Sequence, residues 1–196
     1  MRDLIGEARF NNVLPPFTDM WILARCKYKS GEHRYGGFAG GFLERARALL
    51  GVSINDPVLH VCGGLVRHYP YKGGFGNFDK LVDLDPALEP DYLCDVRDLS
   101  EFRNWPAILC DPPYTEEDAE KYPPGAEVFP TPNLLLKNCL QAVRPGGRVG
   151  MLHLVIPSPP NPEVVGFETK FIAVVGVMVG YNNKIRAYTV FERLID

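Results

Sequence analysis

The feature that most constrains this chain is a series of short apolar runs, each closing on residues that carry chemistry rather than bulk. Val58-Leu59-His60-Val61-Cys62 ends in Gly63-Gly64, and Leu81-Val82-Asp83-Leu84-Asp85-Pro86 ends in carboxylates. Tyr92-Leu93-Cys94-Asp95-Val96 carries another acid, and Ala107-Ile108-Leu109-Cys110 leads into Asp111-Pro112-Pro113-Tyr114. Near-continuous apolar runs of this length read as buried strands of a parallel sheet. Between and after them come helical patterns. Phe38 to Leu50 places Phe42, Leu43, Ala46, Leu49 and Leu50 on one face, with Gly51 as a stop. Asn133 to Val143 does the same with Leu134, Leu135, Leu136, Cys139, Leu140 and Val143. Arg144-Pro145-Gly146-Gly147 ends that helix, and Arg148 to Ile156 is a fifth strand. Lys170 to Val179 and Ile185 to Leu194, joined by Tyr181-Asn182-Asn183-Lys184, form an antiparallel hairpin. Strands alternating with helices give an α/β fold, a mostly parallel sheet with helices on both faces. On such sheets ligands bind outside the carboxyl ends of the strands, where these chemical residues converge.

Asp111-Pro112-Pro113-Tyr114 is the densest of these strand ends. Neither proline donates a backbone hydrogen bond, so the strand cannot continue through them in the middle of a sheet. They fix the backbone and leave carbonyls free to accept. Asp111 adds a charged acceptor and Tyr114 a flat apolar face. A planar group bearing an NH2 fits between these parts, its amine donating to Asp111 and the Pro112 carbonyl and its ring lying on Tyr114. The same four residues also suit an ordinary Pro-rich turn. Of the other strand ends, Asp83 or Asp85 is placed to accept the hydroxyls of a ribose, and Asp95 to accept an adenine amine. The glycine pair would sit beneath such an adenosine-bearing ligand. No Gly-x-Gly-x-x-Gly phosphate loop accompanies it.

Charge is unevenly distributed. Residues 1–75 hold ten Lys/Arg against six Asp/Glu, and the rest of the chain holds eleven against eighteen. Arg25, Lys27, Lys29, His33 and Arg34 cluster with Tyr28 and Tyr35, a patch that suits phosphates as well as solvent. Cys26, Cys62, Cys94, Cys110 and Cys139 show no Cys-x-x-Cys spacing, and the four histidines show no zinc-type pairing, so neither a disulfide framework nor a metal site is expected. Phe171 to Val179 is too short to span a bilayer, and Met1-Arg2-Asp3-Leu4 opens no signal peptide. The expectation is a cytoplasmic protein with no membrane partner.

The sequence as a whole resembles the class I S-adenosylmethionine-dependent methyltransferases. Within them it is most similar to the amino-group branch that methylates adenine N6 or cytosine N4. The resemblance rests on residues 58–64, 82–86, 94–99 and Asp111-Pro112-Pro113-Tyr114, with Arg144 to Val149 and the closing hairpin matching later parts. It implies a Rossmann-like, seven-stranded sheet over residues 57–196, preceded by a basic, helical extension over residues 1–56. It implies S-adenosylmethionine held by His60, Cys62, Gly63, Gly64, Asp83, Asp85, Asp95 and Val96, with Tyr35 bordering its methionine end. Asp111, Pro112, Pro113 and Tyr114 then hold the acceptor amine, with adenine N6 in DNA as the first expectation. Arg25, Lys27, Lys29 and Arg34 would hold nucleic acid, DNA before RNA. The alternatives are an RNA base, guanine N2 or adenine N6, and a catalytically silent nucleic-acid-binding subunit. Little chain is left over to read several base pairs, so a homodimer or a separate specificity subunit is implied. Two positions depart from the family: His60 stands where an acid is usual, and Val66 where a second glycine is usual.

Overall fold

The computed structural model describes residues 16–26, 37–122, 129–180 and 184–194. Strand β1 (Phe17–Leu23) precedes helix α1 (Phe42–Leu50), and β2 (Val58–Val61) follows. A 3-10 turn at Gly64–His68 leads to β3 (Lys80–Asp83), β4 (Tyr92–Leu93) and β5 (Trp105–Cys110). After the one-turn helix α2 (Glu116–Ala119) come α3 (Pro132–Ala142), β6 (Val143–His153), the short α4 (Pro162–Val165), β7 (Thr169–Val179) and β8 (Ile185–Arg193).

All the strands form one sheet in the order β1-β7-β8-β6-β5-β2-β3-β4. Seven run the same way and only β8 opposes them, through its antiparallel pairing with β6 and β7. Chain order reverses direction at the β2–β5 pair, which is the sheet's topological switch point.

The sheet has eight strands rather than the seven expected. The extra one is β1, which pairs in parallel with β7 from Phe17↔Ala173 to Leu23↔Val179. Only Trp21 and Leu23 of this strand turn inward. Trp21 meets Phe42 edge-on at 6.1 Å and Tyr188 at 6.0 Å, which ties the strand to α1 and β8. Residues 17–50 therefore contribute a sheet strand and a core helix.

Strand alternation divides the core between two faces. Val58, Ala107, Leu109, Tyr188 and Val190 pack under α1 with Phe42, Leu43, Ala46 and Leu50. Leu59, Val61, Ile108, Cys110, Val149 and Met151 pack under α3 with Leu135, Leu136, Cys139 and Leu140. Helix α1 begins later than its apolar pattern, because Gly41 adopts φ 79° at its N-cap; Gly51 at φ 72° closes it. Helix α3 opens on Thr131, whose side chain accepts the Leu134 N–H at 3.4 Å, with Pro132 in the first turn. The expected break at Arg144 to Gly147 lies within β6. Val143 already pairs with Trp105, and the register shifts before Ala107↔Arg148, so the turn residues form a bulge rather than an end.

Beneath the first strand end lies a buried ionic cluster. Asp79, whose side chain is 0 % exposed, accepts from Arg47 Nη2 and stands 3.0 Å from His60 Nε2. It also accepts the Val58 N–H at 3.0 Å and the Gly76 N–H at 2.7 Å. Arg47 spends its remaining donors on the carbonyls of Gly73 at 3.0 Å, Gly74 at 3.0 Å and Ser53 at 3.1 Å. Burial alone would raise the Asp79 carboxyl; the His60 bond, the Gly76 N–H and the Arg47 charge outweigh it and hold the group below the usual carboxylate range. A Cβ on Gly73 would lie 2.4 Å from the Glu44 Cα, and one on Gly76 would lie 2.4 Å from the Ile54 carbonyl oxygen. These glycines let their loop close onto α1 and the 53–56 turn.

Candidate active site

The site lies at the carboxyl ends of β2, β3 and β5. Main-chain bonds knit these ends together: the Cys62 N–H donates to Val82 O at 3.0 Å, and the Asp111 N–H donates to Val61 O at 3.1 Å. Cys62 holds φ 52° and Gly64 also holds φ 52°, so the chain turns sharply off β2. A left-handed conformation in a non-glycine residue costs on the order of 1 kcal/mol and favours a site that needs the turn. The Cys62 thiol is pushed well up by burial first and then by nearby Asp83, with Asp111 and Asp95 adding to it.

The acids differ in their partners. Asp83 accepts the Gly64 N–H at 3.2 Å and the Asp85 N–H at 3.2 Å, one on each oxygen. Burial raises its carboxyl despite those bonds. A carboxylate has about four acceptor positions, so Asp83 retains capacity for two hydroxyls. Asp85 instead caps the 3-10 turn at Pro86–Leu88, accepting the Ala87 N–H at 2.9 Å. Asp95 is engaged by Arg97, through its Nε at 2.8 Å, its Nη2, and its main-chain N–H at 2.9 Å. The Arg97 hydrogen bond is the main reason the Asp95 carboxyl sits low.

Three expected cofactor residues are placed differently. His60 is 1 % exposed and faces α1, bonded to Asp79, so its ring offers no atom to a ligand at the strand ends. Gly63 has φ −76°, and its missing Cβ leaves room for Leu81 at 2.7 Å and His60 at 3.0 Å. The core beneath it has no room for a side chain at this position. The Val96 side chain is buried under α3, and its carbonyl lies 3.5 Å from the Asn138 amide. Tyr35, Lys27, Lys29 and Arg34 lie outside the described residues, and Arg25 is exposed beyond the end of β1.

At the end of β5, Asp111 accepts a 2.7 Å hydrogen bond from the Tyr114 hydroxyl. Burial pushes the Asp111 carboxyl up to about 6, against the opposing pull of that bond and of Arg186. Pro112 is buried and Pro113 half-buried. The Tyr114 ring is enclosed on two sides. His153 meets it edge-on at 5.5 Å, and the Arg186 guanidinium carbon lies 5.3 Å from its centroid. Tyr114 is therefore turned in towards Asp111 here, instead of offering an open stacking face.

His153, Arg186 and Tyr122 belong to this site and were not singled out by the sequence. His153 and Arg186 sit at adjoining ends of β6 and β8, where His153 pairs with Ala187. The only signal for them is polar chemistry at the carboxyl end of β6 and at the start of its antiparallel neighbour. Tyr122 follows α2, whose cap is the Thr115 hydroxyl accepting the Asp118 N–H at 3.1 Å. Burial raises the Tyr122 phenol, as do the charges of Asp111, Asp118, Cys62 and Asp83.

A cavity of about 550 Å³ lies at the other end of the sheet, lined in part by Arg103, Asn138, Gln141, Pro145 and Arg193. Its walls come from the amino ends of β5 and β6 and the carboxyl end of β8, remote from Asp111. The chemistry points to the strand ends, not to this cavity. Among the described residues no group of His, Cys, Asp and Glu is arranged to hold a metal ion.

This geometry, with its switch point at β2–β5 and a lone reversed strand beside β6, is the Rossmann-like methyltransferase fold. TrmN from Thermus thermophilus is similar in structure, with a TM-score of 0.53 and 18 % sequence identity over 82 % of this chain. The match spans 50 % of TrmN, so this chain corresponds to half of that protein's length. An rRNA methylase from Streptococcus thermophilus matches with a TM-score of 0.47 and 10 % identity, over 77 % of this chain and 95 % of its own. The N-methyltransferase NodS from Bradyrhizobium japonicum WM9 gives 0.47 and 12 %, over 79 % and 98 %. No protein-family model matches the sequence, and no curated protein does. No helix among the described residues is long and apolar enough to cross a membrane.

Proposed function

We propose that this protein transfers a methyl group from S-adenosylmethionine to an exocyclic amino nitrogen of a nucleobase, adenine N6 in DNA first. The observation that carries the reading is Asp111, a half-buried carboxylate at the switch point, raised by desolvation, whose hydrogen-bond partner is a nearby hydroxyl donor. A desolvated acceptor held this way suits an incoming N–H, which replaces the Tyr114 hydroxyl without leaving the charge unpaired. The cofactor fits the rest of the site. Asp83 keeps acceptor capacity for ribose hydroxyls, Asp95 lies past the next strand, and Gly64 turns the chain off β2 with its N–H on Asp83. Bound there, the cofactor supplies an electrophilic methyl group.

The chain's own residues then orient the acceptor. Asp111 and the Pro112 carbonyl accept both amine hydrogens, which turns the nitrogen lone pair towards the methyl group. Release of Tyr114 from Asp111 frees its ring to stack on the base. With Asp111 near 6, the carboxylate is mostly ionised at neutral pH and ready to accept. A base in a duplex must leave its stack to reach this acid. Arg25 and the neighbouring basic residues are the candidate phosphate contacts, with a second copy or a specificity subunit supplying further sequence reading.

A second reading rests on His60 and on Asp95. An acid of the family is replaced by a buried histidine, and Asp95 is bound to Arg97, which suits a silent nucleic-acid-binding subunit. Methyl transfer from labelled cofactor to DNA, total RNA and protein separates the readings. Label in N6-methyladenine of DNA supports the first. Label confined to RNA moves the substrate, and nucleic-acid binding without label supports the silent subunit.

A further inference from the structure

His153 ends β6 with only 3 % of its surface exposed. Its Nδ1 accepts the Val155 N–H at 3.2 Å, so that nitrogen presents a lone pair. Burial lowers the His153 pKa, and the ring is neutral at physiological pH. A neutral ring with a bare Nδ1 carries its proton on Nε2. Among the described residues Nε2 has no hydrogen-bond partner. The ring is thus locked as a donor with none of these residues to donate to. His60 gives the contrast. Its Nδ1 is also unpartnered, but its Nε2 faces the Asp79 carboxylate, so the bare atom there is an acceptor sealed in the core. Buried N–H groups are seldom left without an acceptor, and each such exception calls for an explanation.

The location supplies one. β5 and β6 run in parallel with Cys110 opposite Met151. The donor ring stands two residues beyond Met151 at the end of β6, edge-on at 5.5 Å to the tyrosine that holds Asp111. Tyr114 is the movable member of the group. When an amine takes its place on Asp111, the ring that stands against His153 is released as well.

Resting on the nucleobase reading above, we propose that His153 is a specificity-determining residue, its Nε2–H donating to a bare ring nitrogen of the target base while Asp111 accepts from the amine. The site then requires an amine and an unprotonated ring nitrogen on one planar ligand, as adenine and cytosine present. A donor and an acceptor fixed together reject a base that lacks either, because the orphaned group stays buried and unpaired.

The test uses DNA copied enzymatically with dATP, with 7-deaza-dATP or with 1-deaza-dATP, so that every adenine in every sequence context lacks one ring nitrogen. The full chain should methylate one of the two analogue DNAs with kcat/KM reduced roughly ten- to hundredfold, the usual effect of an unmatched buried donor. His153→Phe keeps the ring against Tyr114 and removes the donor; it should methylate that analogue and ordinary DNA at similar rates. His153→Gln places an amide N–H near the position of Nε2 and should restore the discrimination. A wild-type protein that treats all three DNAs alike overturns the assignment without need of any variant. So does a His153→Phe protein that discriminates as the wild type does. Failure of the wild type to methylate even ordinary DNA overturns the DNA-adenine reading itself and this inference with it.

Discussion

Replacing Asp111 with Asn should make the protein more stable while impairing transfer. Burial lifts the Asp111 carboxyl from its ordinary 3.8 to about 6. That gap of about two pH units corresponds to about 3 kcal/mol, at about 1.4 kcal/mol per unit. The folded-state pKa lies above the unfolded one, so the fold binds this proton more tightly than the unfolded chain does. Above pH 6 the group is ionised in both states, and the fold carries the full cost of the desolvated charge. The cost shrinks as pH falls through 6 and is gone below 3.8. Asn is neutral throughout, and its carbonyl still accepts from Tyr114. It forgoes the attraction of Arg186 and must place its own NH2, so the net gain is about 1–2 kcal/mol. For a chain of 196 residues that is a rise in Tm of roughly 2–8 °C. Thermal unfolding of both proteins at about pH 8 and about pH 5.5 measures it. The gain should be largest at the higher pH and smaller at the lower. A variant less stable than the parent at pH 8, or a gap that does not change with pH, refutes the claim that Asp111 is a desolvated, costly carboxylate.

Three further outcomes follow from other parts of the structure. Asp79→Ala leaves the Arg47 charge buried and several N–H groups unpaired, so it should cost about 3–5 kcal/mol in denaturant unfolding, more than any change on the exposed face of α2. Asp83→Ala should weaken S-adenosylmethionine binding by about 1–3 kcal/mol in calorimetry, whereas Asp85→Ala should leave it nearly unchanged. Neutralising Arg25, Lys27, Lys29 and Arg34 together should lower DNA affinity and flatten its dependence on salt, by about 0.9 in the log–log slope for each phosphate that these side chains no longer neutralise.

The central strands were legible because each is buried on both faces and reads as an unbroken apolar run. β1 was not, since Phe17, Thr18, Asp19 and Met20 are exposed and its partner lies near the other end of the chain. The Pro145-Gly146-Gly147 stretch reads as a stop, yet β6 runs through it as a bulge. At the site, the sequence assigns Asp95 and Asp111 to different groups but leaves Asp83 and Asp85 as equivalent candidates for the ribose. The differing bonds of these four acids to main-chain N–H groups, to Arg97 and to Tyr114 separate them, and those bonds depend on loop conformation. His60 was assigned by position along its strand. Alternation sends its side chain to the face of α1, where Asp79 and Arg47, both distant in sequence, receive it. His153 gave only the weak signal of a polar residue at a strand end, because its meaning depends on which ring nitrogen is already occupied.

The parallel pairing of β1 with β7 also governs when this protein can finish folding. Its first described strand waits for one of its last, because Leu23 finds Val179 only once nearly the whole chain exists. During synthesis at the ribosome, Trp21 and Leu23 have no sheet to join, while the strands from β2 to β5 can already associate among themselves. Closing so long a loop is slow relative to forming local contacts. Until β7 arrives, the amino-terminal strand carries two apolar side chains and an unsatisfied backbone edge, the features by which nascent chains engage chaperones or one another.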